Sequence, residues 1–290
     1  MLKKILIIGS TVADIHIFVD HLPSAEEDIH PTGQKMSVGG CAYNVANVLE
    51  KQNIPYTLFS PLGTGIYADF IRQNCGKVRP ALKSDEENGC CYCLVDASGD
   101  RTFMSLHGAE YRFRREWFDE LDMQEYDMIY VCGLEIEEPT GKNIISFLRQ
   151  QKDKFIFYAT GPRITHTDLM KNEETMRLAD LLHLNRREAS AFLHTLGIET
   201  ADTAEAAGIL YQKYGVSSVI TDGASPVTLC DKGKISRFDV TPVRQVNGTG
   251  AGDSHAGMIL AMVARGAKLD EAIPEANRFS AQIVQRDGSV

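Results

Sequence analysis

The sequence predicts an α/β fold in which helices cover both faces of a mostly parallel sheet. Short apolar runs alternate with stretches of helical spacing along most of the 290 residues. This alternation implies right-handed crossover connections between parallel strands. The composition, with 43% hydrophobic and 24% charged residues, is ordinary for a soluble globular protein. We therefore expect residues 1–290 to form one large three-layer α/β/α domain.

The individual strands and helices are predicted from the length and the spacing of the apolar runs. The predicted parallel strands are Lys3–Gly9, Tyr56–Ser60, Met128–Val131, Phe155–Ala159, Leu181–Leu184 and Val216–Thr221. The predicted helices are Ala42–Gln52, Gly141–Gln151, Arg187–Leu196 and Ala204–Tyr214. Binding sites in such folds lie at the carboxyl ends of the strands. Asp14, Asn185, Thr221 and Asp253 all follow predicted strands, so we expect them at one edge of the sheet.

Two regions break the alternation and are predicted as antiparallel strand pairs. Ile15–Val19 pairs with Lys35–Val38 in the first region. In the second, Cys90–Val95 pairs with Thr102–Ser105 across a turn at Asp96–Asp100. These strands form a small sheet of their own, separate from the parallel one.

A glycine-rich turn near the C-terminus carries the strongest functional signal. Residues 246–257 read VNGTGAGDSHAG, which brings Asp253 to the start of an apolar stretch with helical spacing. Glycines let backbone N–H groups approach an anion at a helix N-terminus. Asp253 would then accept the proton of an attacking hydroxyl as a general base. The alternative is an ordinary capping role, because Asp is common in the first turn of helices.

Three other motif families are excluded at this turn. No Lys follows the glycines, so it is not a Walker loop, and the spacing is not G-x-G-x-x-G. The Gly252-Asp253-Ser254 block lacks the downstream Asp-x-x-His of GDS-type ester hydrolases.

A second polar group lies near the N-terminus. Asp14 follows the first strand, and Gly39 and Gly40 open an amphipathic helix that carries Asn44. A carboxylate accepts hydrogen bonds from hydroxyls, and an amide both donates and accepts them. Asp14 and Asn44 therefore suit a polyol ligand, although each also has a purely structural interpretation.

Taken together, these motifs resemble the two signatures of the PfkB, or ribokinase-like, family of sugar and nucleoside kinases. Gly39-Gly40 with Asn44-Val45-Ala46 is similar to the first signature, and Thr249–Asp253 to the second. Asn185–Glu188 matches the N-x-x-E motif, and Thr221–Gly223 the T-x-G turn of the nucleotide site. Within this family, the sequence most resembles a poorly characterised group of bacterial sugar kinases.

The resemblance implies a role for each matching residue. Asp253 is the base, with the amides of Gly250, Ala251 and Gly252 as an anion hole. The acceptor is held by Asp14, Gly39, Gly40, Asn44 and Glu135. ATP is held by Asn185, Glu188, Thr221, Gly223 and Asn277, and Glu188 binds Mg²⁺ through water. Arg163 either meets a phosphate or forms a surface ion pair.

The resemblance further implies that residues of about 15–38 and 89–106 form a β lid over the acceptor. Because the exposed face of such a lid can pair with a second lid, we expect a homodimer. Asn247-Gly248 stands where relatives have Asp-Thr, which puts dependence on a monovalent cation in doubt. By resemblance, an asparagine at the position of Asn247 is also found in pseudouridine-kinase-like members of the family. Relatives usually continue with another helix beyond the position of Val290, which leaves open that the chain is shortened.

The expected activity is ATP-dependent phosphorylation of a hydroxymethyl group of a small sugar. A nucleoside kinase of the pseudouridine or adenosine type is the main alternative, and a non-catalytic sugar or nucleotide sensor is the other. A net charge of −9 argues against a nucleic-acid binder. No signal peptide or apolar run of membrane-spanning length is visible, so we expect a cytoplasmic protein. The seven cysteines predict no disulfide framework, and Cys90 and Cys93 face opposite sides of a strand.

Overall fold

The structure is a computed structural model that describes residues 2–243, 248 and 250–285. Its strands, in chain order, are β1 (Ile5–Ile8), β2 (Val12–Phe18), β3 (Gly33–Gly39), β4 (Tyr56–Phe59), β5 (Pro61–Thr64), β6 (Leu82–Glu87), β7 (Cys90–Val95), β8 (Arg101–Leu106), β9 (Met128–Cys132), β10 (Phe155–Ala159), β11 (Leu181–Asn185), β12 (Ser217–Asp222), β13 (Ser225–Asp231) and β14 (Lys234–Phe238). Its helices are α1 (Cys41–Lys51), α2 (Gly65–Asn74), α3 (Arg115–Asp119), α4 (Gly133–Glu137), α5 (Gly141–Leu148), α6 (Leu169–Leu178), α7 (Arg186–Thr195), α8 (Thr203–Tyr214), α9 (Ala251–Ala264) and α10 (Leu269–Ile283).

The main sheet has eight strands in the order β14-β13-β12-β11-β10-β9-β1-β4. The six strands from β12 to β4 are mutually parallel, as predicted. The antiparallel strands β13 and β14 extend this sheet at one edge and were not predicted. The parallel strands place their carboxyl ends at one edge of the sheet, where the polar residues of the candidate site collect.

Helices pack against both faces of the main sheet and give three layers. Ile5 and Ile7 of β1 pack on one side with the apolar residues of α1, α9 and α10. Leu6 and Ile8 point to the opposite side and pack with those of α5, α7 and α8. The strands are thus buried on both faces, which explains their continuous apolar sequences.

Helices α1 and α9 pack unusually close together. Gly257 of α9 faces Val48 of α1, and a Cβ atom at Gly257 would lie 2.8 Å from the Val48 Cβ atom. Real Cβ atoms do not approach each other this closely, so the contact requires glycine at this position. The contact joins the helices that begin at the two signature motifs.

The separate small sheet has four strands in the order β3-β2-β7-β8. The two predicted hairpins, β2 with β3 and β7 with β8, are antiparallel. They meet through a parallel pairing of β2 with β7. Asp14 lies inside β2, so it belongs to this sheet and not to the end of a strand of the main sheet, as its position after β1 had suggested.

A two-stranded parallel sheet, β5 with β6, lies beside these larger units. Within the described part of the chain, no helix combines the length and the apolar character that a bilayer crossing requires. All seven cysteines are free thiols, in agreement with the expectation from the sequence.

Candidate active site

Asp253 lies in the first turn of α9, directly after the glycine-rich turn. Gly250 adopts a left-handed conformation with φ 76°, which reverses the chain just before the helix begins. Its carbonyl accepts a 2.8 Å hydrogen bond from the amide of Ser254 and so closes the first turn. The positive end of the helix dipole therefore lies next to the Asp253 carboxylate.

Asn44 reaches the same carboxylate from α1. Helix α1 starts after Gly40, which has φ 97° and whose Cβ atom, if present, would be 2.6 Å from the Ser10 carbonyl oxygen. Asn44 is 5% exposed, and its Nδ2 donates a 2.8 Å hydrogen bond to Oδ2 of Asp253. The two signature motifs thus meet through a side-chain hydrogen bond.

The pKa of Asp253 reflects opposing effects. Burial raises it above its ordinary value, whereas the Asn44 amide and the neighbouring Cys41 thiol both lower it by favouring the charged form. A carboxylate whose pKa is raised is a stronger acceptor of a proton than an exposed one.

Asp14 approaches the site from the small sheet. Gly39 lies diagonally opposite Asp14 on the paired strand β3. A Cβ atom at Gly39 would overlap Oδ2 of Asp14, so only glycine leaves room for this carboxylate. Burial raises the pKa of Asp14 to about 7, and the negative charge of Asp253 adds to the shift. Two carboxylates, one on the small sheet and one on α9, therefore act on each other.

Asn185 and Glu188 form a capping box at the start of α7. The Asn185 side chain accepts a 2.9 Å hydrogen bond from the Glu188 amide, and Glu188 Oε2 accepts one of 2.9 Å from the Asn185 amide. Burial raises the pKa of Glu188 to about 7, with a further contribution from the charge of Asp253. The N-x-x-E pattern thus has a local structural function, and it still leaves one carboxylate oxygen outside the capping box.

Two cavities meet at the start of α9. A cavity of about 220 Å³ is lined by Cys41, Asn185, Glu188, Gly250 and Asp253 among others. A second cavity of about 240 Å³ is lined by Gly223, Val227, Val240, Asn277 and Ala281 among others, and its wall is mainly apolar. Thr221 and Gly252 belong to the walls of both cavities. The first is therefore suited to charged groups, and the second to a flat, largely apolar group.

One amide of the predicted anion hole is already hydrogen-bonded. A Cβ atom at Gly252 would meet no atom within 4 Å outside its own turn of helix, so this side of the residue borders open space. The amide of Ala251, by contrast, donates a 3.3 Å hydrogen bond to the carbonyl of Gly248 within the turn. Of the residues around this turn, Asn247 and Thr249 lie outside the described part of the chain, so the expectation about a monovalent cation remains a prediction.

Six of the predicted site residues line neither cavity, namely Asp14, Gly39, Gly40, Asn44, Glu135 and Arg163. Local partners hold Glu135 and Arg163. Glu135 is 0% exposed and lines neither cavity, and its Oε1 accepts a 2.7 Å hydrogen bond from the Ser10 amide. Arg163 makes a two-point ion pair with Glu137, with Nε 2.7 Å from Oε2. The surface ion pair, which was one of the two interpretations of Arg163, is the one that the structure contains.

Two cysteines and two histidines of the cavity walls were not predicted as site residues. Cys41 and Cys132 line the smaller cavity, His183 lies in the same wall, and His255 lines the larger cavity. His255 was part of the quoted motif, but neither histidine has a ligand-like spacing. In the described residues, no group of three or more His, Cys, Asp and Glu side chains is arranged to hold a metal ion by itself.

Comparisons with known proteins agree with this geometry. Residues 2–290 match the model of the pfkB family of carbohydrate kinases. An uncharacterised sugar kinase of Escherichia coli (strain K12), YegV, is 29% identical over 292 residues, which cover 99% of this chain and 90% of that protein.

Solved structures show the same fold. Ribokinase of Thermotoga maritima superposes with a TM-score of 0.84 at 21% identity, covering 100% of this chain and 95% of that one. Adenosine kinase of Anopheles gambiae superposes with a TM-score of 0.85 at 20% identity, covering 99% and 96%. The chain belongs to the pfkB family of carbohydrate kinases and is a phosphotransferase with the ribokinase-like fold.

Proposed function

We propose that the protein transfers the γ-phosphoryl group of ATP to a hydroxymethyl group of a small sugar. The observation that carries this proposal is the junction of the two cavities at Gly252, with Asp253 in the wall of the cavity that holds the polar residues. A donor and an acceptor bound on the two sides of this junction would meet next to a carboxylate and a helix N-terminus.

In the proposed reaction, Asp253 accepts the proton of the acceptor hydroxyl. The hydroxyl oxygen forms a bond to the γ-phosphorus while the bond between that phosphorus and the bridging oxygen of ADP breaks. Asn44 holds the Asp253 carboxylate in position, and Asp14 binds other hydroxyls of the acceptor. Gly250 and Gly252 supply backbone amides to the phosphoryl oxygens, whereas Ala251 would first have to release its bond to Gly248.

The larger cavity suits the base of the nucleotide. Its wall is mainly apolar and contains Asn277 as a buried polar group, and Thr221 and Gly223 border it. Gly223 has φ 58°, which lets β12 turn sharply into β13 at the cavity edge. Apolar walls with few fixed polar groups are typical of sites that bind flat organic ligands.

The residues present also fit Mg²⁺ bound chiefly by the phosphates. Glu188 and Asp253 are carboxylates that line the smaller cavity, and Asp253 is already proposed as the base. One oxygen of Glu188 is bound in the capping box, which leaves the other for the ion. A single carboxylate that acts through water is a common arrangement for Mg²⁺ in kinase sites. When bound, the ion would offset the negative charge of the phosphates beside Glu188 and Asp253.

A panel of acceptors tests the proposal. The protein is incubated with ATP, Mg²⁺ and one compound at a time, and mass spectrometry records the gain of one phosphate. The panel contains ribose, fructose and related sugars beside pseudouridine and adenosine, and Asp253→Asn is the inactive control. A phosphorylated sugar supports the proposal, and a phosphorylated nucleoside alone supports the nucleoside kinase. Binding of sugars and nucleotides without transfer under any metal condition supports the sensor.

We also propose that two copies pair through the lid. Strand β8 is the last strand of its sheet, and Met104 and Leu106 on it are more than half exposed. An exposed apolar edge strand offers both backbone hydrogen bonds and apolar area to a second copy. Leu106→Glu should convert a dimer into a monomer in analytical ultracentrifugation. A wild-type protein that sediments as a monomer at all concentrations would refute this pairing.

A further inference from the structure

Three buried side chains form a hydrogen-bonded chain behind the two cavities. His183 lies on β11, His255 on α9 and Asn277 on α10, and they are 6%, 3% and 5% exposed. Nε2 of His183 is 2.9 Å from Nδ1 of His255. Nε2 of His255 is in turn 2.9 Å from Oδ1 of Asn277. The chain therefore links one strand of the main sheet to both C-terminal helices.

The backbone carbonyl of Asp239, together with the neutral state of the two rings, sets the direction of the hydrogen bonds in this group. Asn277 Nδ2 donates a 3.1 Å hydrogen bond to the Asp239 carbonyl, which sets the orientation of the amide and turns Oδ1 toward His255. Because Oδ1 can only accept, Nε2 of His255 carries the hydrogen. A neutral imidazole has one N–H, so Nδ1 of His255 accepts and Nε2 of His183 donates.

Both histidines are neutral. Burial lowers the pKa of His183 well below its ordinary value and that of His255 to about 4. The ring of Phe157 is stacked on His183, with centroids 6.1 Å apart and planes at 24°. Each ring is therefore restricted to one tautomer and packed in one orientation.

The hydrogen-bonded chain of His183, His255 and Asn277 joins the walls of the two cavities. His255 and Asn277 line the larger cavity, and His183 lines the smaller one. The Asp239 carbonyl, where the chain ends, immediately precedes Val240 and Thr241 in the wall of the larger cavity. Loss of one ring would leave a buried partner without its hydrogen bond and would release this wall.

We propose that His183 and His255 are positioning residues for the nucleotide: they hold Asn277 and the segment after Asp239 in place and tie that wall to the helix that carries Asp253. This inference rests on the proposed function, since it assigns the larger cavity to the nucleotide. The two rings act through Asn277 and the backbone and take no part in proton transfer to Asp253.

Direct binding of ADP tests the inference without knowledge of the acceptor. Isothermal titration calorimetry should show that His183→Leu and His255→Leu each raise the Kd for ADP about tenfold. His183→Gln keeps a donor near the Nε2 position and should restore the Kd to within threefold of wild type. Folded His183→Leu protein with unchanged affinity for ADP, or a Gln variant as weak as the Leu variant, would overturn the inference.

A matched control separates positioning from general stability. Tyr126 donates a 2.9 Å hydrogen bond from its hydroxyl to Thr57 Oγ1 at the opposite, amino-terminal edge of the parallel strands. Tyr126→Phe removes this bond and should lower the melting temperature while it leaves the Kd for ADP unchanged. An equal loss of ADP affinity in Tyr126→Phe and His183→Leu would show that the histidines contribute only to stability.

The tautomers provide a readout that is independent of nucleotide binding. A two-bond ¹H–¹⁵N correlation spectrum at neutral pH should show protonated Nε2 and unprotonated Nδ1 in both rings, and a different tautomer or a charged ring would refute the chain. If ADP fails to bind the wild-type protein, the proposed function itself is refuted. A different result refutes only this inference: the wild-type protein binds ADP, and the histidine variants bind it with the same Kd.

Discussion

The amide of Asn44 and the carboxylate of Asp253 are joined by a 2.8 Å hydrogen bond although 209 positions separate them in the chain. Each residue comes from a glycine-rich helix start, so the fold brings the two most distinctive segments of the sequence to one point. Because the amide donates to the ionised carboxylate, it lowers the pKa of Asp253 against the effect of burial.

Removal of this amide should therefore change the pH dependence of catalysis. In Asn44→Leu the pKa of Asp253 should rise, because the carboxylate loses a hydrogen bond that favours its charged form. Since Asp253 is the proposed base and would be ionised only at higher pH, the acid limb of the kcat profile should move to higher pH. Asn143 lies on α5, and Asn143→Leu, which removes a comparable side-chain hydrogen bond to the carbonyl of Phe113, should leave the profile unchanged. A profile of Asn44→Leu that coincides with wild type would contradict the assignment of Asp253 as base.

Gly39→Ala should weaken acceptor binding. The added methyl group would overlap Oδ2 of Asp14 and displace a carboxylate that we assign to the acceptor hydroxyls. We expect KM for the acceptor to rise about tenfold or more, since a displaced hydrogen-bond partner costs about 1–3 kcal/mol. KM for ATP should stay within twofold of wild type.

The control for this change lies on the same strand. Gly33 also belongs to β3, and a Cβ atom there would be 3.6 Å from Phe18, an ordinary contact distance. Gly33→Ala should leave both KM values unchanged. If the two alanine variants behave alike in steady-state kinetics, Asp14 does not bind the acceptor.

Glu135 should make stability depend on pH. Burial raises its pKa from 4.5 to about 7 in the folded protein, so the folded state binds this proton more tightly than the unfolded state does. Its stabilising contribution is complete below pH 4.5 and is lost as the pH rises to 7. The loss amounts to about 2–3 kcal/mol, because one pKa unit corresponds to about 1.4 kcal/mol.

Urea unfolding at several pH values measures this effect. Glu135→Gln, which stays neutral, should remove about 2–3 kcal/mol of the decline in unfolding free energy between pH 4.5 and pH 7. The exposed Glu120→Gln should decline as wild type does. A Glu135→Gln variant with the same decline as wild type would show that Glu135 is ionised without penalty.

Arg163 should have little effect on nucleotide binding. Its guanidinium is paired with Glu137 and 44% of its side chain is exposed. Exposed ion pairs contribute about 0–1 kcal/mol, so Arg163→Met should lower the unfolding free energy by at most that amount. KM for ATP should change less than threefold. A tenfold rise in steady-state assays would instead support a contact between Arg163 and a phosphate.

The sequence predicted the parts of the fold that depend on local apolar patterns. The buried strands of the parallel sheet are short apolar runs, and their order along the chain predicted parallel connections. Strand β14 was missed because Lys234 and Arg237 interrupt its apolar pattern at the sheet edge. Strand β13 was missed because only four of its residues, Val227–Cys230, are buried, and Pro226 precedes them. Helix α10 was missed, and it contains Pro274, a residue typical of helix boundaries.

The site was predicted to the extent that motifs place residues at element ends. Asp253, Asn44, Asn185 and Glu188 are each fixed by a turn or cap that the local sequence encodes. The histidine pair was not predicted, because its two rings are 72 positions apart and make no local pattern. The pairing of Arg163 with Glu137 could not be predicted either, because the two residues are 26 positions apart and their contact depends on how α4 packs.

The close contact between Gly257 and Val48 restricts how helices α1 and α9 can move relative to each other. Helix α1, which carries Asn44, and helix α9, which carries Asp253, are packed too closely to slide past each other. Any rotation of the four-stranded small sheet relative to these helices has to be absorbed outside the pair, and Gly40 lies at the junction between β3 and α1. Crystal structures with and without acceptor should accordingly differ in the backbone torsions of Gly40 while the two helices superpose as one rigid unit.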